Sequence, residues 1–218
     1  MNDRELSRVR SRVLAGRPRG SSSFAVRIAV SIASAMLIDG CASLVSRDEM
    51  RAEVAYSQSG APEGSYRLYN SLGGLQVSGQ FEEGRRVGVW TFWDSRGTKI
   101  IELSYVDSTK EGPCQMWFGS FASSSSAGQK KLEVRFSSGL QHGQKRTWWA
   151  NGRPKCEVQI DAGAVTAARC WSEDGAEVAQ EAAMQAAHSE LEADAKYLAA
   201  LDGVVAGSLR PVDDGRVP

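Results

Sequence analysis

The feature that most constrains this chain is a repeat. Glycines recur at Gly64, Gly88, Gly112 and Gly143, with Ala167 in a fifth slot, and the steps between them are 24, 24, 31 and 24 residues. The one long step is explained by seven additional residues, Phe121 to Ala127, whose serine run reads as a lengthened hairpin loop. A period of this size marks a stack of small supersecondary units, none of which can bury its own apolar residues alone. Five residues after each start stands an aromatic (Tyr69, Trp93, Trp117, Trp148), and nine after stands a turn glycine (Gly73, Gly97, the displaced Gly128, Gly152).

Within each unit one segment alternates: GGLQVSGQF, GTKIIELSY, GQKKLEVRF and GRPKCEVQI. Val77 and Phe81, then Ile101, Leu103 and Tyr105, then Leu132, Val134 and Phe136, then Cys156, Val158 and Ile160 form the apolar half, the period-2 pattern of a strand with one buried face. Glu102, Glu133 and Glu157 share one slot on the other half. Lys131, Lys155 and Arg135 are expected beside them, as columns of opposite charge on a solvated face. Each unit is therefore a β-hairpin, and residues 64–175 predict an elongated antiparallel sheet of about nine strands. Glycine recurs because tight hairpin turns need positive φ.

The motif Gly88-Val89-Trp90, Phe92-Trp93, Gly97, Glu102 and Tyr105 resembles the bacterial variant of the MORN repeat. Over residues 64–175 that resemblance implies an open sheet used for protein or membrane association, with no catalytic residues. Some bacterial relatives of this kind are labelled antitoxin components, which implies a second role, neutralising a partner by occlusion.

The chain has 26 basic and 26 acidic residues, which removes the electrostatic footprint of a nucleic-acid binder. The balance conceals a gradient. Residues 1–40 carry seven arginines against three acids, and residues 172–218 carry three basic against ten acidic residues. The basic start leads into an apolar run, Ile28 to Ile38, too short for a bilayer span but suited to the h-region of a signal peptide. The junction Leu37-Ile38-Asp39-Gly40-Cys41-Ala42-Ser43 resembles a lipoprotein lipobox. It implies cleavage of residues 1–40, lipidation of Cys41 and a membrane anchor, and Ala42 and Ser43 imply outer-membrane sorting facing the periplasm. Asp39 departs from the usual small residue, and a plainly cleaved signal is the other reading. Residues 41–63 read as a linker.

All six tryptophans (Trp90, Trp93, Trp117, Trp148, Trp149, Trp171) lie on first strands and are expected to stack as core columns. Trp149 is one residue off the Trp148 column, on the opposite face, and is the tryptophan best placed to contact a partner. Cys156 and Cys170 lie seven residues either side of Gly163. They could face each other on adjacent strands, as a disulfide or as two thiols, while Cys114 reads as a small buried hydrophobe.

Only His142 and His188 represent histidine, and no C-x-x-C pair, G-x-S-x-G, P-loop or dinucleotide fingerprint occurs. The expectation is a protein without catalytic residues, metal or cofactor, acting by binding another protein. From Gly175 the composition turns to alanine and glutamate. Residues 176–203 predict a helix, capped by Ser172 or Asp174 and carrying Glu177 and Glu181 at its positive end. Its stripe of Val178, Met184, Ala187, Leu191, Ala195, Leu198 and Leu201 would cover the sheet or self-associate. Residues 204–218 read as a disordered tail.

Overall fold

The computed structural model describes residues 50–209 apart from 123 and 124. The leader over residues 1–40, Cys41 and residues 210–218 lie outside the described residues. Within them the protein is mainly β, with one antiparallel sheet and one C-terminal helix, as the repeat predicts. Ten strands are described: β1 (Arg51–Tyr56), β2 (Pro62–Tyr69), β3 (Leu75–Glu82), β4 (Arg85–Trp93), β5 (Lys99–Val106), β6 (Thr109–Trp117), β7 (Lys130–Ser137), β8 (Leu140–Trp148), β9 (Pro154–Asp161) and β10 (Ala164–Cys170). Every strand pairs with its sequence neighbour in the order β1 to β10. Two-residue turns such as Glu83-Gly84 and Ser138-Gly139 hold positive φ at both positions, the geometry that matches strand twist in tight hairpins.

The first strand lies in the stretch expected as a linker. Arg51-Ala-Glu-Val-Ala-Tyr56 alternates, but Ala52 and Val54 are weak markers and no leading glycine precedes them, so the repeat does not announce the strand. The fifth unit is also displaced. From each preceding turn to its aromatic is nine residues (Gly84 to Trp93, Ser108 to Trp117, Gly139 to Trp148), but from Gly163 to Trp171 it is eight. One residue is missing from β10, and Trp171, not Ser172, completes the aromatic column.

The helix α1 runs Gln180–Ser208. It starts later and ends later than the sequence predicts, and residues 204–208 of the expected tail belong to it. Its N-cap is Ala179, without a side-chain cap. Ser172 and Asp174 instead bond each other in the turn after β10. Its length explains its place. Twenty-nine residues rise about 44 Å at 1.5 Å each, and the nine gaps of a ten-stranded sheet span roughly 43 Å at about 4.8 Å each. The helix crosses one whole face: its first turns reach Cys170 on β10, whose Sγ lies 3.8 Å from the Ala183 carbonyl, and its last reaches Tyr66 on β2, whose hydroxyl lies 2.6 Å from Ser208 Oγ.

Under α1 lies one continuous core. Two inward columns dominate the even-numbered strands. Tyr66, Trp90, Cys114, Lys145 and Ala168 form the first, and Leu68, Phe92, Met116, Thr147 and Cys170 the second; all are buried. Trp90 is fully buried, packed within about 5 Å of Tyr66 and edge-on to Phe81. The backbone of Gly79 on β3 lies directly beneath its ring, where a Cβ would come within 2.2 Å of Trp90 Cδ2. Gly79→Ala should therefore lower the unfolding free energy by about 1–3 kcal/mol through overpacking. Chemical denaturation checks this, and in the Gly79→Ala/Trp90→Leu double variant the two losses should fall well short of additive.

Candidate functional site

The two faces of the sheet are chemically different. On the inner face, α1 is held by ion pairs rather than by a broad apolar stripe. Lys145 Nζ, on a side chain only 1% exposed, donates to Asp194 Oδ2 at 2.6 Å and lies 3.9 Å from Glu190. Lys155 Nζ reaches Glu190 at 2.8 Å. Further along, Asp202 accepts from Arg86, from Lys110 at 2.5 Å and from the Tyr105 hydroxyl at 2.6 Å. Burial pushes the Asp202 carboxyl up, but hydrogen bonds from Lys110 and Tyr105 and the charges of Lys110 and Arg86 outweigh it, holding the group below the usual carboxylate range. The same burial pushes Tyr66 up to about 12 and Cys114 up to about 12.

Sequence reasoning misses these anchors because lysine and aspartate read as solvated. The signal was present: Lys145 occupies the slot of Trp90 and Cys114, which alternation turns inward. Lys155, expected beside Glu157 on the solvated face, instead points to the helix. A register shift between Thr147 and Trp148 makes it the extra residue of a bulge, and a bulge re-aims a side chain.

On the outer face a row crosses the sheet at one end of the strands. Tyr69, Trp93, Trp117, Trp148 and Trp171 each follow an inward residue, so they point away from α1, and each is half-buried. The core expectation therefore holds for Trp90 alone among the column tryptophans. Phe92-Trp93 and Met116-Trp117 are adjacent pairs that cannot share a face, and the inward slot goes to the first of each. Basic groups lie over the outward rings. Arg51 sits 5.1 Å from the Tyr69 centroid, Lys99 4.1 Å from Trp117, Lys130 5.8 Å from Trp148 and Arg169 5.0 Å from Trp171. Lys99 and Lys130 also pair with Glu102 and Glu133 at 3.0 and 2.9 Å. The Lys130 hydrogen bond lowers the Glu133 pKa against its partial burial. Such exposed pairs contribute a few tenths of a kcal/mol each.

Trp149, the candidate partner contact, is half-buried. Its indole N–H donates to the Trp171 carbonyl at 2.9 Å, and Lys155 Nζ lies 4.6 Å from its ring. Cys156 and Cys170 stand opposite each other on β9 and β10 with Cα atoms 4.1 Å apart, joined as a disulfide, and Cys114 is a buried free thiol. His142 lies 3.4 Å from Asp161 at a hairpin turn, and His188 Nδ1 lies 2.7 Å from the Met184 carbonyl. Among the described residues no group of three or more His, Cys, Asp or Glu side chains converges as a metal cradle.

No family model and no curated protein matches the chain. Among solved structures, the crystal structure of TarM is similar at 13% identity, with a TM-score of 0.26, over 62% of this chain and 22% of TarM. A likeness that low bears on neither fold nor function.

The Asp202 anchor has a pH dependence of defined sign. A carboxyl held below its unfolded value contributes stability that is complete above the ordinary carboxylate range and is lost as pH falls through it. Wild-type stability, followed by helical circular dichroism in denaturant, should decline from about pH 5 downward. Asp202→Asn should flatten that decline while lowering stability at pH 7. Lys145→Ala should cost about 3–5 kcal/mol, since it leaves Asp194 buried without its cation.

Proposed function

We propose that this chain is a non-catalytic, lipid-anchored envelope protein whose repeat sheet is a binding scaffold for another protein. The observation that carries the reading is the asymmetry of the sheet. One face is taken up by α1 along its whole width, while the other presents half-buried aromatic rings interleaved with basic groups, beside a column of glutamates. Large aromatic side chains, tryptophan and tyrosine above all, are enriched in interface cores relative to ordinary surface. A scaffold of this kind needs no catalytic group; it needs a rigid face, and consecutive hairpins on a covered core supply one.

The address rests on the lipobox-like sequence at Cys41 and on Ala42 and Ser43, which favour the outer membrane. The Cys156–Cys170 bridge is consistent with an oxidising compartment. The MORN-like motif supports association as the mode of action.

The test is fractionation and intact mass of the wild type beside Cys41→Ser. The expected result is a membrane-bound chain that begins at Cys41 and carries a diacylglyceryl mass, with the variant released. Denatured without reductant, the Cys41→Ser chain should then expose one thiol, that of Cys114. A photo-cross-linker at Gln115, on the outer face, should capture a specific envelope protein, and Trp117→Ala should weaken that capture severalfold. A full-length, cytoplasmic and soluble wild type would overturn the envelope reading and bring forward occlusion of a partner in the manner of an antitoxin.

A further inference from the structure

The two edges of the sheet end differently. After β10 the chain turns back, and Glu177 and Val178 run along the end of that strand. Val178 N–H donates to the Cys170 carbonyl at 2.9 Å, Glu177 bridges to Trp171, and its carboxylate accepts two hydrogen bonds from Arg169 at 2.7 and 2.9 Å. At the opposite edge, among the described residues, β1 pairs with β2 alone. Proteins blunt open edges with lysine, proline, bulges or inward-pointing charge. Arg51-Ala-Glu-Val-Ala-Tyr56 contains neither lysine nor proline, and the irregularity in its ladder takes its extra residues from β2. Its inward side chains, Ala52 and Val54, are apolar and half-buried at the rim of the core.

An open edge accepts many strands unless side chains choose among them, and those of β1 choose a second β1. Arg51 and Glu53 share the outer face, opposite Tyr69 and Arg67, with side chains 70% and 44% exposed. When two such strands pair antiparallel about a two-fold axis, every contact occurs twice. An axis at Arg51 or at Glu53 sets like charges against each other, which is unfavourable. An axis at Val54 leaves the two charges facing Ser57 and Ala55. An axis at Ala52 sets Arg51 of each copy against Glu53 of the other. On the inner face the same register sets Met50 against Val54 and Ala52 against Ala52, and all three residues already pack against the core.

We propose that this protein self-associates through β1, as a two-fold dimer centred on Ala52 in which two ten-stranded sheets join edge to edge. The apolar strip under β1 then continues from one copy into the next, two charge pairs form on the outer face, and both helices lie on the same side. The outer aromatic row stays free for another partner. Five facing residue pairs make a seam smaller than the roughly 1,200–2,000 Å² of standard interfaces, so the association is reversible.

The experiment is cysteine cross-linking of the full chain carrying Cys41→Ser, read on non-reducing gels beside sedimentation. Opposed residues of an antiparallel pair stand about 4.5–5.5 Å apart at Cα, within disulfide reach, and Cys156 and Cys170, opposed in the same way, are joined. Ala52→Cys should therefore oxidise to a covalent dimer. Val54→Cys should not, because the two copies of that residue lie four positions apart along the strands, about 14 Å. Without either cysteine, sedimentation should show monomer and dimer in equilibrium and nothing larger. In the Ala52→Cys chain, Arg51→Glu or Glu53→Lys should each lower the cross-linked yield about fivefold, and an equimolar mixture of the two should restore it, since each copy then meets opposite charge. A monomer at every concentration with no Ala52→Cys cross-link would overturn the proposal and mean that another segment of the chain covers β1. Cross-linking of Val54→Cys as readily as Ala52→Cys would overturn it too, as would a mixture no better than its components. A series of ever larger species would also do so, because head-to-tail pairing of β1 with β10 does not close.

Discussion

A sheet one layer thick has two faces, and the single helix among the described residues can cover only one of them. That constraint shapes the rest of the molecule. Ten hairpin-linked strands require a cover as long as the sheet is wide, and α1, at about 44 Å, matches the roughly 43 Å of strand spacing. Its apolar contribution is modest: Leu198, Leu201 and Val205 are its large buried residues, with Ala183 and Ala187 closing on β10. The bulk of the core comes from the sheet itself, where Tyr66, Phe81, Trp90, Phe92 and Tyr105 crowd beneath the C-terminal half of the helix. Small side chains on α1 and large ones on β2 to β5 are two halves of one packing solution. Gly79 is the extreme case, since the Trp90 ring occupies the space a Cβ would need.

The uncovered face solves its own problem differently. Outward rings at one end of the strands are only half exposed, because neighbouring lysines and arginines lay their stems and charges across them, as amphipathic side chains do. The glutamate column keeps those cations oriented. The result is a face that stays in water without a large continuous apolar patch, while holding rigid aromatic groups at fixed spacing. These are the properties a docking surface needs, and they arise from the same repeat that builds the core.

The repeat made most of this legible. Recurring glycines fixed the hairpins, alternation fixed β3, β5, β7 and β9, and the symmetrical placing of Cys156 and Cys170 about Gly163 put them side by side. What escaped has physical causes. β1 lacks the leading glycine and relies on alanine and valine. Trp93, Trp117 and Trp148 follow apolar or hydroxyl residues on the opposite face, and period-2 logic cannot say which of two adjacent large residues turns inward until the ladder is known. The helix start was misplaced because Ser172 and Asp174 carry cap chemistry but use it in a turn. The anchors were hardest to see, because a buried lysine is recognisable only from its slot in the repeat, and its partners lie in a helix about 50 residues away.

Those anchors also determine where α1 stops along the sheet. An alanine-rich helix on an apolar surface can slide by a turn at little cost in buried area, so apolar contact alone specifies register weakly. Asp194 and Asp202 remove the ambiguity. If the helix advanced by four residues in one direction, Leu198 would face Lys145 and Ala206 would face Arg86 and Lys110. Shifted four the other way, Glu190 could serve Lys145, but Leu198 would then meet Arg86 and Lys110. Either slide leaves buried cations unpaired, at several kcal/mol for the pair broken. Only the observed register satisfies both clusters at once.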